Sequence, residues 1–223
     1  MYLNTVYRVG TFQQRMDNVA ITNTVNNIRP MRPGDVESVV RVHMDGFPGF
    51  FLTFLGPAFL REFYAGVCED PSGIAFVYDD ADSILGLVVG TVEPSGFYRR
   101  LIQKRWWKFA FASLKPAFSK PRIIPRLLRA LTLPGKIANP DLKTGTLMSL
   151  AVLQNRKGNG VGKHLVLAFL EKSRERQVEI VNLTTDAIGN DATNEFYRRL
   201  GFALDKVFTT PEGRLMNEYM IRL

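Results

Sequence analysis

The sequence predicts an α+β fold in which a central, mixed and twisted sheet is flanked by helices. Segments with the alternation of strands and segments with the period of helices both occur, but not as a regular succession of strand and helix units. The chain has no internal repeat, and its 223 residues suit one domain with a sizeable insertion. We therefore expect an extension over residues 1–27 and one domain over residues 28–223, with a basic helical insertion at about 94–140.

Local signals place each element of this fold. Asp35 is predicted to cap the first helix, and Asn190 or Asp191 to cap the last one, which Gly201 ends. The predicted elements are a strand at Ile28; helices at 36–43, within 50–67, at 162–176 and at 192–200; a hairpin of strands 74–78 and 84–92; and strands 144–153, 178–185, 202–209 and 215–223.

The composition is that of a soluble globular protein and argues against several kinds of site. One cysteine, Cys68, excludes an internal disulfide and a cysteine-based metal cage, and two separated histidines, His43 and His164, argue against zinc. No apolar run reaches the roughly 18 to 20 residues that span a bilayer, and the first residues lack a signal-peptide pattern. We therefore expect a cytoplasmic protein that needs no metal.

The net charge of +8 belongs to one segment of the chain. Between Glu93 and Asp141 there are eleven basic residues and no acidic one, so the remaining residues carry a net charge of −3. Because the charge is local and no nucleic-acid-binding motif accompanies it, we expect no nucleic-acid partner. The eleven are Arg99, Arg100, Lys104, Arg105, Lys108, Lys115, Lys120, Arg122, Arg126, Arg129 and Lys136.

A glycine-rich turn between a predicted strand and a predicted helix is typical of a phosphate-binding site. Gly158, Gly160 and Gly162 allow positive φ and leave no Cβ in the way, so successive N–H groups can converge on a pyrophosphate. The spacing is one residue too short for a P-loop, and His164 stands where a P-loop has serine or threonine. It also fails the G-x-G-x-x-G pattern of dinucleotide-binding folds.

Three blocks of the sequence resemble the GNAT acetyltransferase superfamily. The turn KGNGVG, 157–162, matches the family's pyrophosphate loop, with Lys157 in place of the usual glutamine or arginine. LMSLAV, 147–152, matches the preceding strand, and NDATNEFYRRLGF, 190–202, matches the family's late block. The resemblance covers about half of the chain well and 28–92 more loosely. It implies the GNAT acyl-CoA N-acyltransferase fold.

The resemblance also implies roles for individual residues. Tyr197, seven residues after Asn190, corresponds to the general acid that protonates the departing thiolate. Main-chain groups of Leu150, Ala151 and Val152 would pair with the pantetheine arm, and an N–H near Val152 would face the thioester oxygen. The remaining predicted contacts with coenzyme A (CoA) are Lys157, Gly158, Asn159, Gly160, Val161, Gly162, Lys163 and Asn190.

The general base is less defined than the general acid. Relatives often carry a glutamate where this chain has Thr146 or Thr185. Asp186 is the predicted base, although on a strand its side chain would point to the face opposite to Thr185. Glu93, Asp45 and a chain of water molecules stay open as alternatives.

The insertion has three open interpretations. It fits a helical lid over the acceptor site, a peripheral membrane contact through residues 97–131, or recognition of an anionic acceptor. Trp106 and Trp107 among lysines favour the membrane contact, and 122–131 is predicted to form a short amphipathic helix.

We therefore expect an N-acetyltransferase that moves an acetyl group from acetyl-CoA to a primary amine by direct attack. The expected acceptor is a small-molecule amine, with an amino sugar or a lipid-linked amine as hypotheses. Two alternatives stay open: a non-catalytic acyl-CoA-binding or membrane-associated module, and an acyltransferase with a longer acyl donor. The sequence also leaves a homodimer open.

Overall fold

A computed structural model describes residues 27–81, 83–119 and 143–223 of the chain. The predicted extension and the predicted helix at 122–131 therefore lie outside the described residues. The strands are β1 (Ile28–Pro30), β2 (Gly73–Asp80), β3 (Ser83–Thr91), β4 (Thr144–Val152), β5 (Ile180–Asp186), β6 (Ala203–Thr209) and β7 (Leu215–Arg222). The helices are α1 (Val36–Gly46), α2 (Phe51–Phe54), α3 (Gly56–Glu69), α4 (Pro94–Ser119), α5 (Val161–Glu175) and α6 (Asp191–Arg199).

The strands form one seven-stranded mixed sheet in the order β1-β2-β3-β4-β5-β7-β6. All neighbours are antiparallel except β4 and β5, which are parallel and pair only from Thr144 to Thr146. Beyond Thr146 the two strands no longer pair, which leaves a gap in the middle of the sheet. The predicted α+β class and mixed sheet are confirmed.

Each face of the sheet has its own apolar core. Helices α1, α3 and α4 cover one face, where residues such as Leu60, Phe63 and Val89 are buried. Helix α5 and helix α6 lie on the other face, where Leu165 and Phe169 are buried close to Gly86 and Gly90 of β3. The gap between β4 and β5 therefore opens to both faces of the sheet. One face carries α1, and the other carries α5 and α6.

Helix α4 forms the first part of the basic insertion and is anchored on α3. Arg100 binds both carboxylate oxygens of Asp70 at 2.7 and 2.8 Å, and Arg105 binds Glu62 and Glu69. Burial raises the pKa of Asp70, but the hydrogen bonds from Arg100 and from Ser72 outweigh it and lower that pKa to about 2. Among the described residues, no helix is long and apolar enough to cross a membrane.

Two predicted details of the helix ends differ in the structure. Asp35 precedes α1, but its carboxylate accepts hydrogen bonds from the Arg29 guanidinium and from the Arg32 N–H instead of capping the helix. Asn190 occupies the N-cap position of α6, yet its side chain makes no capping hydrogen bond. In both cases the residue lies at the predicted start of the helix, but its side chain does not form the predicted capping hydrogen bond.

Candidate active site

The gap between β4 and β5 exposes backbone groups of β4. The Leu153 N–H bonds to the Leu85 carbonyl at 2.9 Å, and Val152 lies opposite Gly86 of β3. Because successive residues of a strand direct their N–H groups to opposite sides, the N–H groups of Val152 and Leu150 point into the gap. An extended ligand that entered the gap would meet these donors as it would meet a neighbouring strand.

An irregularity in β4 adjoins the gap. Val89 of β3 pairs with Ser149, whereas Gly90 pairs with Leu147, so Met148 has no partner of its own in β3. Such a bulge re-aims the side chains around it. The Tyr98 hydroxyl of α4 lies 3.4 Å from the Met148 sulfur, so the start of α4 borders the bulge.

The glycine-rich turn lies at the start of α5, as predicted. Gly158 and Gly160 have φ of +87° and +77°, values that L side chains rarely adopt, and Gly158 has no heavy atom within 4 Å of the place where a Cβ would stand. Gly162, in contrast, lies in the first turn of α5 and has helical backbone angles. Lys157 and Lys163 are exposed on either side of the turn.

Tyr197 lies in the middle of α6 and is buried beside Phe196 and Phe202. Burial raises the pKa of its hydroxyl, since a phenolate would be poorly solvated there. The hydroxyl therefore keeps its proton at neutral pH, which is the form that a general acid requires.

A buried side-chain pair fixes α6 to the end of β5. The Thr185 hydroxyl donates to Asn194 Oδ1 at 2.6 Å, and Asn194 Nδ2 donates to the Asp186 carbonyl at 3.1 Å. Asn194 precedes Tyr197 by three residues and so lies on the same side of the helix. The pair thus sets where Tyr197 stands relative to β5. The sequence analysis missed Asn194, although a buried-face polar residue one turn before the tyrosine is a usable signal.

Asp186 lies on the opposite side of β5 from Thr185, in agreement with the predicted alternation. Both of its carboxylate oxygens bind Arg214, which precedes β7, at 2.6 Å. The same guanidinium lies 5.3 Å from the centre of the Phe50 ring. Arg214 therefore connects the end of β5 with the segment between α1 and α2, and the sequence analysis did not identify it.

A second buried polar pair joins α1 and α3. His43 Nδ1 lies 2.6 Å from the Tyr64 hydroxyl, and both side chains are buried. His43 Nε2 is buried and has no hydrogen-bond partner in the described part of the chain. Burial lowers the pKa of His43 to about 4, so the ring is neutral at physiological pH.

The other two carboxylates considered as general bases, those of Asp45 and Glu93, already accept hydrogen bonds. Asp45 accepts from the Gln154 N–H at 3.4 Å, and Glu93 accepts from Arg100 at 2.9 Å. Thr146 donates to Asn182 at 2.6 Å across the last paired position of β4 and β5. Within the part of the chain that the structure describes, no three His, Cys, Asp or Glu side chains are grouped so as to hold a metal ion.

The predicted site residues thus fall in two groups around one gap. The glycine turn and Tyr197 belong to elements on the face that carries α5 and α6, and Leu150 and Val152 line the gap itself. Asp186 lies on the other side of the sheet, near α1 and α2, together with Arg214 and Phe50. This arrangement is suited to a ligand that is anchored at the turn, passes through the gap and presents its reactive end to a second ligand.

Comparison with known proteins agrees with this geometry. A family model described as "Acetyltransferase (GNAT) family" matches residues 37–202. No curated protein sequence matches the chain.

Several solved structures share the fold. The Ard1 protein of Thermoplasma volcanium has 19% identity and a TM-score of 0.53, with 88% of this chain and 96% of that chain covered. A ribosomal-protein-alanine N-acetyltransferase from Brucella melitensis has 15% identity and a TM-score of 0.57, with 88% and 99% covered. A polyamine N acetyltransferase from Drosophila melanogaster has 15% identity and a TM-score of 0.56, also with 88% and 99% covered.

Proposed function

The chain belongs to the acetyltransferase (GNAT) family, and we propose that it transfers an acetyl group from acetyl-CoA to a primary amine. One observation carries the proposal. The unpaired stretch of β4 leads directly into the turn at which Gly158 and Gly160 adopt positive φ, immediately before α5. A pantetheine arm bound along β4 would bring its pyrophosphate to the N–H groups of this turn. The exposed cations of Lys157 and Lys163 add attraction for the phosphates.

The proposed reaction is a direct attack of the amine on the thioester. The amine nitrogen bonds to the carbonyl carbon, while an N–H of Leu150 or Val152 stabilises the oxygen that becomes negative. The tetrahedral intermediate then collapses, the carbon–sulfur bond breaks, and the sulfur takes the hydroxyl proton of Tyr197. The pKa of Tyr197, raised by burial, supports this role because the hydroxyl is protonated before each turnover.

Asp186 is the proposed acceptor of the amine proton. Its place on the acceptor side of β5 supports the proposal. Arg214 occupies part of its hydrogen-bonding capacity, but a carboxylate offers about four lone-pair sites, so positions for an amine or a water molecule are left. Arg214 also fixes the direction of the carboxylate. Loss of the Asp186 carboxylate should therefore affect catalysis differently from loss of Arg214.

Binding of CoA tests the first half of the proposal. Titration calorimetry with CoA should show at least about tenfold weaker binding for Gly160→Val, because a β-branched residue is strained at a φ of +77° and distorts the N–H groups of the turn. Gly213→Val is the matched control, since Gly213 has a φ of +83° in the β6–β7 turn, away from β4. Lys157→Arg should bind within about twofold of wild type, since the cation is kept. Equal binding by all variants would contradict the proposed site.

Release of thiol tests the second half. Acetyl-CoA and longer acyl-CoA donors should be offered with a polyamine, a peptide with an N-terminal alanine and a nucleotide-linked amino sugar. The first two acceptors are chosen because similar structures carry the names ribosomal-protein-alanine and polyamine N-acetyltransferase. CoA binding without thiol release for any amine would favour a non-catalytic module, and faster release with longer donors would favour a longer-chain acyltransferase.

We propose that the protein works in the cytoplasm, since its single cysteine, Cys68, cannot form an internal disulfide. A homodimer stays a prediction that sedimentation of the full chain would check.

A further inference from the structure

Helix α4 presents large apolar side chains to solvent on one side. Trp106, Trp107 and Phe111 are 64%, 48% and 69% exposed. Lys104 is exposed as well and lies three and seven residues before Trp107 and Phe111, so these three side chains share one side of the helix, and the exposed Trp106 flanks Trp107. We call Lys104, Trp106, Trp107 and Phe111 the aromatic-cationic face.

The buried residues of α4 anchor the helix in the fold. Phe97, Leu101 and Phe109 are buried in the core under α1 and α3. Arg100 and Arg105 point inward, where they bind carboxylates of α3 and of the residue that follows it. The orientation of the helix is therefore fixed by packing and by ion pairs. Its aromatic-cationic face is directed outward by this anchoring, and its aromatic residues are not left exposed by loose packing.

Helix α4 carries charge of a single sign, since it has six basic residues and no acidic one. Arg100 and Arg105 bind carboxylates, and the Lys108 ammonium lies 3.7 Å from a Glu62 oxygen. Arg99 and Lys104 are exposed, so the described outward surface of α4 combines aromatic rings with these two cations. Tryptophan next to lysine is the composition that favours the headgroup region of a bilayer with anionic lipids.

We propose that the aromatic-cationic face binds the surface of an anionic lipid bilayer, with the aromatic rings at the level of the headgroups. The rings supply apolar area and the cations supply attraction to anionic headgroups. A partner protein would need an acidic, apolar patch of matching shape, whereas an anionic bilayer offers this chemistry without one. The proposal does not depend on acetyl transfer.

The direction of α4 determines which part of the protein such binding would hold near the bilayer. Arg100 binds Asp70, directly after the end of α3, whereas the Phe109 ring lies 4.7 Å from the ring of Phe59 in the first turn of α3. Helix α4 therefore runs antiparallel to α3, and its aromatic-cationic face lies toward the start of α3. The segment 47–54 precedes that start and carries Phe50, which is 38% exposed. Binding would thus hold the acceptor side of the gap near the lipid surface.

Tryptophan emission gives a readout specific to this face, because Trp106 and Trp107 are the two tryptophans of the chain. The full chain should be titrated with vesicles of phosphatidylcholine alone and of phosphatidylcholine with phosphatidylglycerol. We expect cosedimentation and a blue shift of emission with the anionic vesicles, and loss of both at high salt. Absence of binding, or equal binding to both vesicle types, would overturn the proposal. Binding with unchanged emission would overturn it too, since another surface would then be responsible.

Substitutions test whether this face, and not another surface of the protein, binds the vesicles. Trp106→Ser/Phe111→Ser, which keeps Trp107 as a reporter, should weaken binding at least about tenfold, and Lys104→Ala about fivefold. The matched controls are Val207→Ser, an exposed apolar residue of β6, and Arg174→Ala, an exposed cation of α5, and both should bind as wild type. Wild-type binding by the face variants would contradict the proposal. CoA binding, measured in parallel, should be unchanged in all four variants, so failure of either proposal is recognised independently.

Discussion

Arg214 holds both carboxylate oxygens of Asp186 at 2.6 Å, across 28 residues of sequence. The pair joins the end of β5 to the turn before β7, and Arg214 also lies against Phe50 from the α1–α2 segment. Three separate parts of the chain therefore meet on the side of the gap that we propose for the acceptor. The pair gives Asp186 a fixed direction and gives Arg214 a place from which it can contact an acceptor.

The first prediction separates the two members of this pair. Asp186→Asn should lower kcat by roughly 10²- to 10⁴-fold, because the amide cannot accept the amine proton. Arg214→Gln should lower kcat/KM by less, because the carboxylate is still present. Steady-state thiol release with the best acceptor from the panel measures both. A wild-type kcat for Asp186→Asn would remove Asp186 as the base.

The second prediction concerns Tyr197. Tyr197→Phe should lower kcat by roughly 10²- to 10⁴-fold, because the thiolate would leave without a proton donor. CoA binding should stay within about twofold of wild type, because the hydroxyl acts only as the sulfur departs. Calorimetry and thiol release on the same preparation measure the two effects.

Tyr219→Phe is a suitable control for Tyr197→Phe. The Tyr219 hydroxyl is buried with no hydrogen-bond partner among residues 27–81, 83–119 and 143–223, so its removal should not lower stability or kcat. A kcat for Tyr197→Phe equal to that of the control would contradict the role of general acid.

The fold was predictable because its signals are local. Strand alternation, the glycine turn before α5 and Gly201 after α6 each depend on a few neighbouring residues, and the elements observed end within a few residues of their predicted bounds. The insertion was different. All eleven of its basic residues were treated alike, yet Arg100 and Arg105 turn inward because α3 and the residue after it offer Asp70, Glu62 and Glu69. Nothing within the insertion itself reveals that pairing.

The site residues were also only partly predictable from the sequence. Motif residues such as Gly160 and Tyr197 stand at fixed spacings, so sequence alone could nominate them. Asn194 and Arg214 depend on contacts between elements distant in sequence, which a local pattern cannot show. The gap between β4 and β5 likewise follows from the register of two strands and not from any residue type.

The third prediction tests the anchor of α6. Thr185→Val should lower the free energy of unfolding by about 1–3 kcal/mol, because Asn194 Oδ1 loses its buried donor. It should also lower kcat, since Tyr197 lies one turn further along the same helix. Denaturant unfolding and thiol release measure the two effects. Thr184→Val, at the exposed neighbouring position, is the control. Wild-type stability and kcat in Thr185→Val would show that the pair does not position the tyrosine.

The fourth prediction is a pH dependence of stability that arises from His43. Burial lowers the pKa of this histidine from 6.5 to about 4. Between these values the unfolded chain binds a proton that the folded protein does not, so the folded state loses stability as the pH falls below 6.5. The loss is about 1.4 kcal/mol per pH unit, or about 2 kcal/mol between pH 6.5 and pH 5. Asp70, with a pKa of about 2, contributes a loss only at lower pH.

Two variants isolate this contribution, measured by denaturant unfolding between pH 5 and pH 7. His43→Gln should flatten the dependence by about 2 kcal/mol over the same interval, because glutamine does not titrate. Tyr64→Phe removes the partner of His43 Nδ1 but keeps the ring buried, so it should lower stability at every pH and preserve the slope. A slope that survives in His43→Gln would assign the pH dependence to other groups. A slope lost in Tyr64→Phe would assign it to the hydrogen bond instead of to burial.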